Sequence, residues 1–321
     1  MTDERIKAEY DPSNLDAPTL AAVELRDVVK SYGKKRVLDS VSYRLEPGSV
    51  FALLGENGAG KTTTIKMLLG ETKPDSGKIN VFQLSPEKHA REIRERTGYV
   101  PEQPVLYGYM TVAQMGKFAA AFYPEGYMAE YAKRCEEFGL RPNDRIKNLS
   151  KGGRAKTSLA LALAGDPDLL ILDEPTSGLD ALVRRQFLAN IADLAAAGKT
   201  VFLSSHQTAE VERVADRVAF LRNGKIVVNE KVDELKKTTT IVNATIVGET
   251  QESLDSLFNS IFEGGLVEAV RYGARWRAVG RRVVPNCDER LKLALGEKLT
   301  DVELVRPTLE DVFIAYMEKR S

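Results

Sequence analysis

The strongest constraint on the fold of this 321-residue chain is a glycine-rich loop between an apolar run and a helical pattern. The run Val50–Leu54 predicts a buried strand, and Lys61–Leu69 predicts a helix. Between them, residues 55–62 read Gly-Glu-Asn-Gly-Ala-Gly-Lys-Thr, the pattern G-x-x-x-x-G-K-[ST]. With strand and helix in these positions, the pattern indicates a phosphate-binding loop.

The residue types of this loop suit a polyphosphate. Its glycines let the backbone approach closely, and its N–H groups point inward beside the positive end of the following helix. Lys61 is expected to reach the β- and γ-phosphates, and the Thr62 hydroxyl to ligate Mg²⁺. By chance the pattern arises in roughly one chain in a hundred of this length. The loop therefore predicts binding of a nucleoside triphosphate.

Compact apolar runs alternate with helical patterns through the first two thirds of the chain. Leu169–Leu172 and Val201–Ser204 predict strands, and Arg154–Ala164 and Ala181–Ala197 predict helices. Buried strands that alternate with helices favour a mostly parallel sheet covered by helices. The expected fold class is α/β.

A second, smaller domain is expected after a linker at residues 236–240, where the composition shifts. Beyond it the pattern reads βαββαβα, which is typical of a small α+β, split-βαβ sandwich. We expect a leader over residues 1–20, a nucleotide-binding domain over 21–237 and an accessory domain over 241–321. The predicted elements of the last are strands at 241–247, 267–272, 275–279 and 301–306 and helices at 252–262, 288–295 and 309–319.

Composition excludes several classes of protein. Hydrophobic residues make up 43% and charged residues 29%, and 46 basic residues balance 46 acidic ones, so no global field recruits nucleic acid. No apolar run reaches the roughly 18 residues of a membrane span, and the N-terminus lacks a signal-peptide core. Cys135 and Cys287 lie far apart, which fits free thiols in a reducing cytosol.

Two adjacent acids follow the second compact run. Asp173 and Glu174 stand at the carboxyl end of the strand Leu169–Leu172, where ligands bind in open α/β sheets. Asp173 is expected to hold Mg²⁺, and Glu174 to take a proton from the attacking water. Asp-Glu-Pro is also good turn chemistry, so a plain strand-to-turn transition is the alternative.

Five further segments carry a family resemblance. Leu149-Ser150-Lys151-Gly152-Gly153 resembles the signature motif of the ATP-binding-cassette (ABC) ATPases, usually Leu-Ser-Gly-Gly-Gln. Residues 31–33 (Ser-Tyr-Gly) resemble the A-loop, 98–103 (Gly-Tyr-Val-Pro-Glu-Gln) the Q-loop, 177–180 (Ser-Gly-Leu-Asp) the D-loop and 204–206 (Ser-Ser-His) the switch-histidine loop. Together with the phosphate loop they follow the family order, so the sequence resembles an ABC-type P-loop ATPase with a helical subdomain and an antiparallel part.

The resemblance implies a head-to-tail dimer that encloses two ATP molecules. His206 would bond the γ-phosphate and position Glu174, and Glu102 would reach Mg²⁺ through water. The nucleotide contacts that the loop and the resemblance predict are Tyr32 (against adenine), Gly55, Glu56, Asn57, Gly58, Ala59, Gly60, Lys61, Thr62, Thr63 and, toward the opposite subunit's nucleotide, Ser150, Gly152 and Gly153. The metal ligands expected are Thr62, Asp173 and Glu102.

This sequence departs from the family pattern at several positions. Lys151 replaces the first signature Gly, Gly153 replaces the usual Gln, and Leu161 stands where many members have Arg. Glu102 aligns with the Q-loop position and Gln103 follows it, so either side chain fits that role. Lys61, Asp173, Glu174 and His206 are all retained, which favours ATP hydrolysis over a non-hydrolysing, ATP-gated regulatory module.

The resemblance further implies partners in a membrane. Residues 104–112 and 306–313 are similar to segments of ATPase subunits that pair with six-helix exporter permeases. We expect a homodimer or heterodimer, cytoplasmic and peripheral on the inner face of the membrane, whose residues 102–122 receive the permease. Tyr107, Tyr109, Met110 and Met115 suit such a groove, and core packing is the alternative.

Nucleic acid is not an expected partner. Five arginines surround Trp276 and form either a basic face or, more commonly, a solvated strand pair. A soluble ABC ATPase that acts on nucleic acid or ribosomes is the alternative function. One cassette, no long heptad run and two isolated cysteines weigh against it, and a missing Asn-Lys-x-Asp motif weighs against a GTPase.

Overall fold

The computed structural model describes residues 21–248 and 251–318, so the leader expected over residues 1–20 lies outside the described residues. The chain divides into two compact units, which among the described residues hold 21–229 and 230–318. No helix in this described part is both long and apolar enough to cross a bilayer.

A six-stranded sheet forms the centre of the first unit. Its strand order is β5-β6-β7-β3-β8-β9, and β5, β6, β7, β3 and β8 pair in parallel. Every residue of β3, β6 and β7 is buried, which explains why these strands are continuous apolar runs without alternation. The strands are β3 (Val50–Gly55), β5 (Thr97–Val100), β6 (Leu169–Asp173), β7 (Thr200–Ser205), β8 (Arg217–Arg222) and β9 (Lys225–Lys231).

A three-stranded antiparallel sheet packs on the same core. Its order is β2-β1-β4, built from β1 (Val23–Tyr32), β2 (Lys35–Leu45) and β4 (Ser76–Val81). The Tyr43 ring of β2 stacks on Phe51 of β3 with centroids 4.9 Å apart, and Phe51 stacks on Phe202 of β7 at 5.8 Å. Such aromatic pairs add about 0.5–1.5 kcal/mol each beyond the burial of their area.

Helices cover the sheets and build a helical segment between β5 and β6. Thr111 caps α3, since its hydroxyl accepts from the Gln114 N–H at 3.2 Å and the Gln114 side chain accepts from the Thr111 N–H at 2.9 Å. The helices of this unit are α1 (Lys61–Leu68), α2 (Pro86–Glu95), α3 (Val112–Ala120), α4 (Tyr127–Glu137), α5 (Lys151–Leu163), α6 (Ala181–Ala196) and α7 (Thr208–Val214).

The second unit is a four-stranded antiparallel sheet with a core of its own. The strand order β11-β12-β10-β13, together with the chain order βαββαβ, is the split-βαβ arrangement. Trp276 and Phe258 lie in its core with ring centroids 6.3 Å apart. Its elements are α8 (Val232–Thr238), β10 (Thr239–Ile246), α9 (Gln251–Ile261), β11 (Leu266–Tyr272), β12 (Arg275–Arg281), α10 (Cys287–Leu295), β13 (Leu299–Val305) and α11 (Leu309–Glu318).

Two sequence-based expectations need correction. Helix α5 begins at Lys151, not Arg154, because the Ser150 hydroxyl caps it by accepting from the Gly153 N–H at 3.0 Å. No linker lies at residues 236–240, because α8 runs directly into β10. Cys135 and Cys287 are free, as predicted, and both are buried.

Three of the five arginines around Trp276 are engaged with neighbours in the second unit. Arg281 forms two 2.9 Å hydrogen bonds to Glu230, and Arg277 donates to Asp311 at 2.8 Å. The Arg271 guanidinium lies 5.5 Å from the centroid of the Trp276 ring. These contacts fit a structural role for Arg271, Arg277 and Arg281 better than an open basic face.

Candidate nucleotide site

The glycine-rich loop joins the buried end of β3 to the first residue of α1. Gly58 and Gly60 have φ values of 80° and 116°, in the left-handed region that favours glycine. A Cβ added to Gly60 would lie 2.7 Å from Leu38 Cδ2, so no larger residue fits there without movement. The sequence therefore needs glycine at this position to hold the loop open above the helix N-terminus.

Lys61 turns its ammonium back onto the loop. Its Nζ donates to the Gly55 carbonyl at 2.6 Å and to the Glu56 carbonyl at 3.2 Å, and it lies 3.1 Å from Glu174 Oε1. The side chain is only 6% exposed. A buried ammonium with three donors at the mouth of an anion-binding loop fits a phosphate ligand.

Thr62 and Asp173 bring two oxygen ligands together. The Thr62 hydroxyl lies 3.0 Å from Asp173 Oδ2, and the Ser204 hydroxyl donates to Asp173 Oδ1 and fixes that carboxylate. No group of three or more His, Cys, Asp and Glu residues that could hold a metal occurs in the described residues. This donor set fits Mg²⁺, which typically binds one or two carboxylates and completes its shell with waters and substrate phosphates.

Glu174 is a buried carboxylate between a lysine and a histidine. Its Oε2 lies 2.8 Å from His206 Nδ1 and 3.3 Å from the His206 backbone nitrogen. Its Oε1 faces Lys61 Nζ at 3.1 Å but has no partner with hydrogen-bond geometry among the residues that the structure describes. A buried acceptor atom that lacks a donor fits a site that takes a further hydrogen-bonding group, such as a water.

The structure brings the phosphate loop, the acid pair and the switch histidine to one place. This follows from the sheet order, because β3 and β6 both neighbour β7 and all three end on the same edge. Glu56 and Asn57 are exposed, and Gly58 is open to solvent-side space with no atom within 4 Å of an added Cβ. Thr63 is half-buried in the first turn of α1.

The other predicted contacts lie outside this group. Tyr32 is 50% exposed, with Lys30 Nζ 5.4 Å from its ring centroid. Ser150 is exposed at the N-terminus of α5, and a Cβ added to the buried Gly152 would lie 2.7 Å from Val183 Cγ1. Glu102 is exposed and lines a cleft of about 250 Å³ together with Lys151 and Arg154. The roles of these residues stay predictions.

Two polar residues of this site were missed in the sequence. Ser204 was read only as part of the histidine motif, although its side chain bonds Asp173 and its carbonyl accepts from the Glu174 N–H at 3.1 Å. Glu210 accepts from the Thr176 hydroxyl two residues after Glu174. The sequence feature that could have indicated Glu210 is its position four residues after His206, in a short helix that follows a strand.

Comparison with known proteins gives one family. Residues 38–177 match the ABC transporter family, ABC_tran. The "Nod factor export ATP-binding protein I" of Rhizobium etli is 36% identical over 74% of this chain and 77% of its own length. An uncharacterized ABC transporter ATP-binding protein of Nostoc sp. is 33% identical over 88% of this chain and 84% of its own length.

Solved structures agree with the sequence relatives. A structure described as the ATP-binding subunit of an ABC transporter superposes with a TM-score of 0.62 at 31% identity and covers 67% of this chain and 92% of that chain. The predicted fold class and the family resemblance are thereby confirmed. The chain belongs to the ABC transporter ATP-binding family, and it is an ABC-type ATPase that binds and hydrolyses ATP.

Proposed function

We propose that two copies of this chain bind MgATP between them and drive export through a separate membrane permease. In this proposal the ATPase lies peripherally on the inner face of the membrane. The observation that carries the coupling to a permease is a cluster of exposed aromatic rings beside the Q-loop. The relative named for Nod factor export supports the direction of transport.

The contacts of the phosphate loop support the first step, nucleotide binding. Lys61 exchanges its carbonyl partners for the β- and γ-phosphates, and the N–H groups of residues 55–63 surround them. Thr62 and Asp173 would hold Mg²⁺, and Glu102 would contribute through a water. When bound, Mg²⁺ neutralises charge on the phosphate oxygens.

The contacts of Glu174 support its role as the general base. His206 fixes one carboxylate oxygen through two contacts, so the other oxygen stays directed toward the phosphate loop and Lys61. From there it takes the proton of the attacking water. The contact between Nδ1 and Glu174 leaves His206 Nε2 for the γ-phosphate, to which it donates when it carries a proton.

The exposed contacts complete the site across a dimer. Tyr32, with half of its surface exposed, stacks on adenine. Ser150 already caps α5, and its exposed helix N-terminus with Gly152 and Gly153 is directed to the nucleotide of the opposite copy. Both proposals extend the family resemblance to Tyr32 and Ser150, whose surfaces are available for a ligand, and to the turn that follows Ser150, in which Gly152 is buried.

The cluster of aromatic rings, which we call the aromatic patch, consists of Tyr107, Tyr109, Phe118 and Phe122. Tyr107 packs edge-on against Phe118 with centroids 5.3 Å apart, and Phe118 contacts Phe122 at 5.6 Å. Tyr109 is 70% and Phe122 74% exposed. Contiguous exposed aromatic surface marks protein interfaces, and aromatic rings are frequent anchors of such contacts.

Part of the expected docking segment belongs to the core instead. Met115 is buried at 6% exposure because it lies on the inner face of α3. The aromatic patch therefore consists of two rings that precede α3 (Tyr107 and Tyr109), one on its outer face (Phe118) and one that follows its C-terminus (Phe122). Its apolar surface suits an apolar face of a permease segment exposed to the cytoplasm.

A pull-down from membranes tests this proposal. The tagged full chain is recovered from detergent-solubilised membranes of the source cell, and its partners are identified by mass spectrometry. We expect a stoichiometric polytopic partner that the double variant Tyr109→Ser, Phe122→Ser loses while it retains ATPase activity. The matched control is Tyr272→Ser, a 63% exposed tyrosine on β11. Recovery in the soluble fraction, or with ribosomes or DNA, would contradict the proposal.

A further inference from the structure

We propose that Glu210 is a positioning residue for ATP hydrolysis, which holds the turn of Glu174 in register with the D-loop through Thr176 and Arg184. This inference rests on the proposed role of Glu174 as general base. Among the described residues, Glu210 contacts neither the phosphate loop nor Glu174 directly. It acts through the backbone that carries Glu174.

The backbone at Glu174 needs external support. Its φ of 46° is in the left-handed region, which is unfavourable for a residue with a side chain. Such conformations persist only where surrounding contacts determine them. On one side the Glu174 N–H donates to the Ser204 carbonyl at 3.1 Å, and the Ser177 N–H closes the turn on the Glu174 carbonyl at 3.1 Å.

Glu210 supplies the support on the other side. The Thr176 hydroxyl, inside the turn, donates to Glu210 Oε2, and the Glu210 side chain is 8% exposed. The second oxygen, Oε1, lies 3.0 Å from Arg184 Nε on α6, a charge contact without hydrogen-bond geometry. Without Glu210, the buried Thr176 hydroxyl would lose this acceptor, and the turn would be held from the Ser204 side alone.

Arg184 extends the support to the D-loop. Its guanidinium also donates to the Leu179 carbonyl at 3.0 Å, within the segment 177–180. Glu210 itself lies on α7, which begins two residues after His206. One carboxylate thus joins the turn of Glu174, the D-loop and the helix that follows the switch histidine, so a shift in one segment displaces the others.

Stability alone gives no reason for a glutamate here. Burial raises the pKa of Glu210 above its ordinary value, and the Thr176 hydrogen bond and the Arg184 charge offset this only in part. Among the other charged groups that act on it, Glu174 raises this pKa and His206 lowers it. Since the ionised form is less favourable in the folded chain than in the unfolded chain, a neutral isostere should fold at least as well at neutral pH.

The test compares Glu210→Gln, Arg184→Met and the double variant in the full chain. Gln keeps an acceptor for Thr176 but loses the charge that holds Arg184. We expect each single variant to lower kcat about 10- to 100-fold, with KM for ATP and nucleotide affinity unchanged. The double variant should lose no more than the worse single variant, because the pair acts as a unit. Arg185→Met, an exposed neighbour on α6, is the control and should keep wild-type kcat.

Three results would overturn the inference. They are wild-type kcat in Glu210→Gln, losses that multiply in the double variant, and a rise in KM without a fall in kcat. If Glu210→Gln does not fold, Arg184→Met alone decides, since Arg184 is 35% exposed and water can replace its partner. Glu174→Gln is measured in parallel. Wild-type kcat in Glu174→Gln would refute the proposed base. A loss of kcat in Glu174→Gln together with wild-type kcat in Glu210→Gln would refute the positioning role only.

Discussion

His206 Nδ1 lies 2.8 Å from Glu174 Oε2, and the His206 backbone nitrogen lies 3.3 Å from the same oxygen. One residue therefore fixes that oxygen through both its ring and its main chain. The other oxygen lies beside Lys61 and, within the described part of the chain, has no partner of hydrogen-bond geometry. The two oxygens of Glu174 thus have different partners: Oε2 contacts His206, and Oε1 faces Lys61. Substitutions of Lys61, Glu174 and His206 should therefore have different effects on binding and turnover.

Glu174→Gln should lower kcat by about 10²–10⁴-fold while ATP binding is retained. The amide keeps the size of the side chain but cannot accept the proton of the attacking water. Phosphate release measures turnover, and equilibrium titration measures nucleotide affinity. Because hydrolysis no longer separates the two copies, light scattering should show a doubled mass with ATP. A monomer with normal turnover would remove Glu174 from the role of base, and Glu136→Gln, exposed on α4, is the control.

Lys61→Ala should weaken ATP binding about 10- to 100-fold or more, because a charge-assisted contact to the phosphates is lost. Titration with ATP followed by calorimetry measures the affinity. Lys66→Ala removes an exposed lysine from the same helix and should bind ATP like the wild type. Equal affinities of the two variants would show that Lys61 does not contact the nucleotide.

His206→Ala should lower kcat about 100-fold with little effect on stability. The histidine side chain is 43% exposed, so its removal leaves no large cavity, whereas Glu174 loses the ring contact and keeps only the 3.3 Å contact to the backbone nitrogen of residue 206. The chain has only two histidines, and His89→Ala provides the matched control, since His89 is exposed and lies 3.7 Å from Glu92. If kcat fell equally in His206→Ala and His89→Ala, the loss would not come from the contact with Glu174, and His206 would have no specific role in hydrolysis.

Much of the fold was predictable because its signals are local. The fully buried strand β3 and the helix α1 follow from an apolar run, a glycine-rich loop and a periodic pattern that are contiguous in sequence. The α+β unit likewise follows from alternation, as in β10, where inner residues such as Val242 and Ala244 are buried and Asn243 between them is half-buried. The start of α5 at Lys151 was not predicted, because Gly152 and Gly153 are poor helix formers and the first turn depends on the hydrogen bond from the Gly153 N–H to the Ser150 hydroxyl.

The missing part of the site depends on contacts between distant residues. Ser204 and Asp173 are 31 residues apart, and Thr176 and Glu210 are 34 apart. Their meeting is set by the pairing of β6 with β7 and by the direction of α7, which no single window of sequence contains. Sequence motifs therefore gave the groups proposed to touch ATP, whereas the groups that hold them required the structure.

Gly116→Ala should destabilise the first unit by about 1–3 kcal/mol, the usual effect of overpacking. A Cβ at this position would lie 2.1 Å from Tyr131 Cδ1, and the Tyr131 ring cannot move freely because its hydroxyl donates to the Val112 carbonyl at 2.9 Å. Urea unfolding followed by circular dichroism measures the change. Lys117→Ala, at the exposed next position of α3, should leave the free energy of unfolding within about 0.5 kcal/mol. Equal stabilities would indicate that α3 and α4 separate without cost.

Asp311→Asn should destabilise the second unit at neutral pH and have no effect in acid. Burial acts to raise the pKa of Asp311, but two hydrogen bonds from Thr308 and the Arg277 charge outweigh it, and the pKa lies below its ordinary value. A carboxyl whose pKa is lowered by folding stabilises the chain above its unfolded pKa of about 4. This contribution is lost as the pH falls through the lower, folded value.

The sole tryptophan, Trp276, reports on this unit because it lies in its core. Urea unfolding followed by its fluorescence should show a loss of up to about 1 kcal/mol for Asp311→Asn at pH 7, a magnitude limited by partial exposure of the pair. The difference from wild type should shrink toward zero as the pH is lowered below 4. Asp301→Asn, exposed on β13, should match wild type throughout. A difference that persists unchanged in acid would mean that Asp311 stabilises the unit by packing alone, because protonation would then remove nothing.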